Sequence, residues 1–134
     1  MAKLTYIEGV GEAYAQKLRA AGVSTSKTLL EVGATPKGRK DIAAKSGLSE
    51  SLISKWVNHV DLYRVKGIGS EYAELLEISG VDTVVELAQR NPENLYQKMT
   101  SVNQDKKLVR KLPTQAQVKK WVEQAKQLPR VINY

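Results

Sequence analysis

The chain has no cysteine and no phenylalanine, a single histidine, and no long apolar run among its 134 residues. Without thiols there are no disulfides, no thiolate zinc sites and no cysteine nucleophile, and a reducing, cytoplasmic setting is compatible with that. Without phenylalanine the apolar inventory is mainly Leu, Val, Ile and Ala, which suits small, closely packed helices. The one histidine, His59, has no cysteine and no acidic triad near it in sequence, so it makes neither a metal site nor a general base. No apolar stretch approaches the ~20 residues of a membrane span, and Met1-Ala2-Lys3-Leu4-Thr5 opens no signal peptide. No phosphate loop, dinucleotide fingerprint or nucleophile elbow is present. The absences together point away from an enzyme, a small-molecule substrate, a metal or a membrane partner.

Charge is less balanced. Lys and Arg outnumber Asp and Glu by 21 to 14, a net charge of +7 that favours polyanionic partners. Cutting the sequence after Arg64 leaves 10 cations against 6 anions, then 11 against 8, so both halves are basic and neither end carries a basic tail. A polyanion site would therefore be built on the folded surface.

The strongest positive feature is an internal repeat. Ile7-Glu8-Gly9-Val10-Gly11 recurs as Val65-Lys66-Gly67-Ile68-Gly69, an offset of 58 residues from Gly9 to Gly67. Tyr14, Ala15, Leu18, Gly22 and Val23 match Tyr72, Ala73, Leu76, Gly80 and Val81 at the same offset. Further on, the segment 49–57 around Trp56 aligns with 114–122 around Trp121, now offset by 65. The extra seven residues fall near Ser101 to Leu112. Two copies of about sixty residues, 1–61 and 62–134, thus account for the chain.

Helix punctuation is dense. Gly22 and Gly80 stand where left-handed C-terminal caps belong. Thr35-Pro36 and Asn91-Pro92 each put a capping side chain before a proline at the first helical position. Ser49 and Thr114 are expected N-caps of the two tryptophan helices. Leu52, Ile53, Trp56, Val57 and Val60 form one apolar stripe; Val118, Trp121, Val122 and Ala125 form its counterpart. No alternating strand pattern is found. The spacing predicts an all-α fold of about four short helices per copy. The junction Asp61-Leu62-Tyr63-Arg64 has no flexible composition, so the two copies are expected to pack together or share a helix.

A Gly-hydrophobic-Gly turn between two short amphipathic helices, repeated with these continuations, resembles the helix-hairpin-helix unit of DNA repair, recombination and replication proteins, a SAM-like fold. The first copy, from Ile7 through Gly22-Val23 to Gly47-Leu48-Ser49, is particularly similar to the N-terminal domains of Rad-type recombinases. As a whole, the chain resembles an uncharacterised domain-of-unknown-function family of small tandem proteins, on Lys55-Trp56-Val57, Asp61 through Gly69, Leu112-Pro113 and Trp121. That resemblance implies sequence-independent contact with DNA phosphates, with Gly9, Val10 and Gly11 in one copy and Gly67, Ile68 and Gly69 in the other as contact residues. In the class a monovalent cation is sometimes held by hairpin carbonyls. Lys17, Arg19 and Lys66 would add charge. Against this, Glu12 directly follows the first turn and Ser70-Glu71 the second, where DNA-binding hairpins usually carry basic or small polar residues. Because Glu74 and Glu77 follow as well, the first hairpin ranks above the second on charge alone.

Two basic clusters supplement the turns. Lys37, Arg39, Lys40 and Lys45 surround the helix after Thr35-Pro36. Lys106, Lys107, Arg110 and Lys111 occupy the expansion, with Lys119 and Lys120 beyond; i,i+4 spacing on a helix would pair Lys106 with Arg110 and Lys107 with Lys111. Phosphate contact by such faces would be sequence-independent and weakened by salt. Trp56 and Trp121, central in their stripes, read as core anchors rather than base-stacking platforms, and Tyr14 and Tyr72 as packing residues. Two functions compete: a non-enzymatic DNA-backbone binder and a protein-interaction adaptor on the same helical fold. The acids behind the turns are better tolerated in the second.

Overall fold

The computed structural model describes residues 3–134; Met1 and Ala2, which open the segment expected to be no signal peptide, lie outside the described residues. The protein is all-α. Among the described residues, eight α-helices and one short 3-10 turn make up the regular structure, with no strand beyond an isolated bridge between Lys3 and Thr25.

The chain divides into two compact units: Met1–Asp61 with Val131–Tyr134, and Leu62–Arg130. The last four residues, which the sequence places with the second copy, therefore cluster with the first unit.

The first unit runs from the 3-10 turn Leu4–Tyr6 through α1 (Glu12–Ala20), α2 (Ser26–Gly33) and α3 (Pro36–Ser46) into α4 (Glu50–Leu62). Leu4, Ile7, Leu18, Leu29, Ile42, Ile53 and Trp56 are its fully buried large side chains. The C-terminal tail is tied to this unit through Arg39. The guanidinium donates to the carbonyls of Gly33 and Asn133, both at 2.7 Å, and lies over the Tyr134 ring, 4.7 Å from its centroid. The Asn133 amide donates to the Ala34 carbonyl, and the Tyr134 hydroxyl donates to Asn58 Oδ1.

The second unit contains α5 (Ser70–Ile78), α6 (Val84–Ala88), α7 (Pro92–Lys106) and α8 (Gln115–Gln127), with α8 packed on α6 and α7. Its core gathers Leu75, Leu76, Leu87, Leu95, Met99, Val118, Trp121 and Val122. The stripe predicted on α8 is the face buried here.

The same closure ends α1 and α5. Val23 N–H reaches back to Leu18 O and Gly22 N–H to Arg19 O; Val81 and Gly80 do the same to Leu76 and Glu77. This six-to-one and five-to-two pairing satisfies carbonyls that a helix end otherwise leaves bare. The expected caps are in place: Thr35, Ser49, Asn91 and Thr114 side chains each accept an amide of the following first turn. At Thr114 the pairing is reciprocal, since Gln117 Oε1 accepts the Thr114 amide at 2.8 Å.

One expected helix is not there. Residues 107–114 are irregular: Lys107 adopts φ 52°, ψ 49° and ends α7. Asn103 then holds the loop by accepting the Val109 amide at 2.9 Å and donating to its carbonyl at 3.2 Å. The left-handed residue and the side-chain clamp give the backbone partners outside a helix, and Pro113 could not have donated to one.

Candidate nucleic-acid interface

Each Gly-x-Gly turn is closed by its own backbone and floored by a tryptophan. Val10 N–H donates to Ile7 O at 3.0 Å, and Ile68 N–H to Val65 O at 3.1 Å. Val10 and Ile68 are themselves buried, at 4% and 5% exposure. The middle residues of both turns are thus core plugs whose amides are spent inside the turn, and neither Val10 nor Ile68, expected as contact residues, is presented at the surface.

Within each turn the two glycines are not equivalent. Gly9 and Gly67 have φ of 87° and 98°, whereas Gly11 and Gly69 sit at −86° and −107°. Only the first glycine of each pair occupies the left-handed region that a β-carbon penalises. A β-carbon there would also approach the indole nitrogen below, lying 4.0 Å from Trp56 Nε1 at Gly9 and 3.0 Å from Trp121 Nε1 at Gly67. Tyr14 packs on Trp56 with ring centroids 5.2 Å apart, and Tyr72 on Trp121 at 5.3 Å. Both tryptophans are therefore core supports of the turns.

Gly11 and Gly69 are the N-caps of α1 and α5, and neither supplies a capping side chain. The other six α-helices start under a side-chain oxygen from Thr25, Thr35, Ser49, Thr83, Asn91 or Thr114. First-turn amides of α1 and α5 thus carry the positive end of a helix dipole without that side-chain oxygen. Of the acids flagged behind the turns, Glu12 is paired with Arg19 at 2.9 Å, both side chains being well exposed. That pair offsets the charge of Glu12 at the first turn while occupying Arg19. Glu71 is exposed in the first turn of α5.

The cations distribute unevenly. Lys17, Lys40 and Lys45 are exposed. Lys37 is exposed but paired with Asp41 at 2.9 Å, and that hydrogen bond, with the charge of Lys37, holds the Asp41 carboxyl below its usual range. Arg39 leaves the basic face altogether: it is 5% exposed and committed to the two backbone carbonyls and the Tyr134 ring. Its counting as a surface cation failed because sequence shows charge but not the tail that covers it. Lys106, Lys107, Arg110 and Lys111 are all exposed, on the end of α7 and the irregular loop rather than on one helix. The Tyr72 hydroxyl donates to the Lys111 carbonyl at 2.8 Å and anchors that loop.

Beside the second turn, a cleft of about 360 Å³ is lined by Lys66, Gly67, Gln117, Lys120, Trp121 and Gln124. Gln117 and Gln124 were not singled out in the sequence; their i,i+7 spacing on α8, flanking Trp121, was the available signal. His59 is fully buried, and among the described residues no group of three or more His, Asp or Glu could hold a metal ion. No helix among them is long and apolar enough to cross a membrane.

No curated protein and no solved structure matches the chain. A family model does, over residues 8–128, and the chain accordingly belongs to the family described as Domain of unknown function (DUF4332).

Proposed function

We propose that the chain is a non-enzymatic, sequence-independent DNA-binding protein made of two helix-hairpin-helix units, each offering its Gly-x-Gly turn to the phosphate backbone. The observation that carries this reading is the pair of α-helices that begin on glycine N-caps, when every other α-helix has a side-chain oxygen at its start. Aligned amides at such an end attract an anion, and the absent side chain lets a backbone phosphate approach. The net charge of +7 supplies long-range attraction, and Lys17, Lys66, Lys106, Lys107, Arg110 and Lys111 are exposed cations on the same chain.

Fluorescence anisotropy on labelled duplex and single-stranded DNA across a salt series tests it. About four neutralised phosphates would weaken binding roughly a hundredfold between 50 and 200 mM salt. Charge removal at Lys106, Lys107, Arg110 and Lys111 should weaken it further and flatten the salt slope. Absence of binding to either DNA at low salt would overturn the reading and leave the glycines as turn makers.

A protein-docking role is favoured by one observation, the exposure of Tyr6 and Tyr14 beside the first turn, at 47% and 36%. Binding that depends on those tyrosines and is indifferent to salt would select it.

A further inference from the structure

The cleft beside the second turn holds donors and no acids. Gln117, Lys120, Trp121 and Gln124 share one face of α8, and Lys66 and Gly67 close the opposite side. Both glutamines have their amide orientation set by backbone donors: Gln117 Oε1 accepts the Thr114 amide at 2.8 Å and Gln124 Oε1 accepts the Lys66 amide at 2.7 Å. With each oxygen turned to a backbone N–H, the NH₂ group is the donor each side chain has left to offer a ligand. Lys66 and Lys120 add two ammonium groups, both on exposed residues.

Trp121 adds an independent indication. It is 3% exposed, and among the described residues no acceptor bonds its indole N–H. That N–H is not among the buried side-chain atoms left without a partner, so it faces solvent rather than protein. Its Nε1 is the atom nearest the space over Gly67, where a β-carbon would lie 3.0 Å away. The absent side chain of Gly67 keeps that N–H accessible from the cleft.

We infer that this cleft is a binding site for a phosphate monoester, with two lysines, two glutamine NH₂ groups and the Trp121 indole as its donors. A concave site with two cations suits a group that carries a charge of about −1.5 to −2 at pH 7 better than the single charge of an internal phosphodiester. Within the DNA-binding reading, on which this assignment of source rests, the ligand is the terminal phosphate of a strand; free phosphate shares the chemistry. The first unit lacks the site. At the aligned positions it has Glu8, Gly9, Leu52, Lys55, Trp56 and His59, so one lysine becomes an acid and one glutamine becomes a leucine.

The test follows the two indole N–H resonances by NMR, with Trp56 as internal control. Inorganic phosphate, a 5′-phosphorylated single-stranded oligonucleotide and its 5′-hydroxyl twin are titrated in turn. The expected result is a saturable shift at Trp121 with little change at Trp56, and roughly tenfold tighter binding of the phosphorylated strand. Gln117→Glu is the decisive variant. Glutamate at this position preserves the capping box, so α8 should keep its circular-dichroism signal while a carboxylate enters the cleft and abolishes the shift. A shift with inorganic phosphate, but no preference between the two strands, upholds the cleft with free phosphate as its ligand. No shift with either phosphate source, or a shift that survives in Gln117→Glu, overturns it. Anisotropy on the hydroxyl strand and on duplex scores backbone binding separately, so loss of that reading is distinguishable from loss of this one.

Discussion

The turns Ile7–Gly11 and Val65–Gly69 share a backbone and differ in what surrounds it. Each has a positive-φ glycine over a tryptophan, a buried aliphatic residue in the middle and a glycine N-cap opening a nine-residue helix. Around the second turn stand Lys66, Gln117, Lys120 and Gln124; around the first, the aligned residues are Glu8, Leu52, Lys55 and His59. His59 is buried with no exposed surface, whereas Lys66, Gln117 and Lys120 are exposed. One scaffold thus serves two surfaces, and the tryptophan helix, α4 or α8, decides the chemistry at its turn. The acids that follow the glycines lower the rank of the second turn on charge alone. The residues brought to it from α8 reverse that order for a monoester ligand.

The largest expected effect tests the shared part. Trp56→Ala and Trp121→Ala should each cost about 3–5 kcal/mol, read by urea unfolding, because each removes the largest buried side chain beneath a turn. A loss in one unit far below the loss in the other would break the structural equivalence of the turns.

Glycine substitution should produce smaller, graded losses. Gly67→Ala is expected to cost about 1–3 kcal/mol, and Gly9→Ala less, since both carry the positive-φ penalty but the indole crowds the added carbon only at Gly67. Gly11→Ala, with φ at −86° and nothing within 4 Å of the new carbon, should stay within about 0.5 kcal/mol of the parent. Equal losses at Gly9 and Gly11 would contradict the division of labour within the turn.

The smallest stability change should come from exchanging the turn charges. Glu8→Lys and Lys66→Glu alter exposed side chains, so each should move stability by no more than about 0.5 kcal/mol. Their effect on ligand should be unequal. Lys66→Glu should remove the phosphate response of Trp121, while Glu8→Lys should leave Trp56 silent, because Leu52 brings no donor to the first turn. A response at Trp56 in Glu8→Lys would mean that one lysine suffices and that the glutamines are incidental.

By itself the sequence determined the helices, their ends and the stripes that face the two cores. Those are local matters: hydroxyl and amide caps at Thr35, Ser49, Asn91 and Thr114, glycines that close α1 and α5, and 3.6-residue periodicity around Trp56 and Trp121 all act within one turn or two of the chain. Tertiary structure decided which polar groups were left over. Arg39 reads as a surface cation until the tail, 94 residues later, gives it a carbonyl and a ring to bind. Lys106 to Lys111 read as a helix until Lys107 turns left-handed and Asn103 takes the Val109 backbone. Gln124 has no evident role in sequence; its position opposite Lys66, 58 residues away, both fixes its oxygen and turns its NH₂ group into a cleft donor. Capping and periodicity are fixed by neighbours along the chain, whereas the hydrogen-bonding capacity of a side chain is settled only after distant backbone has claimed its share.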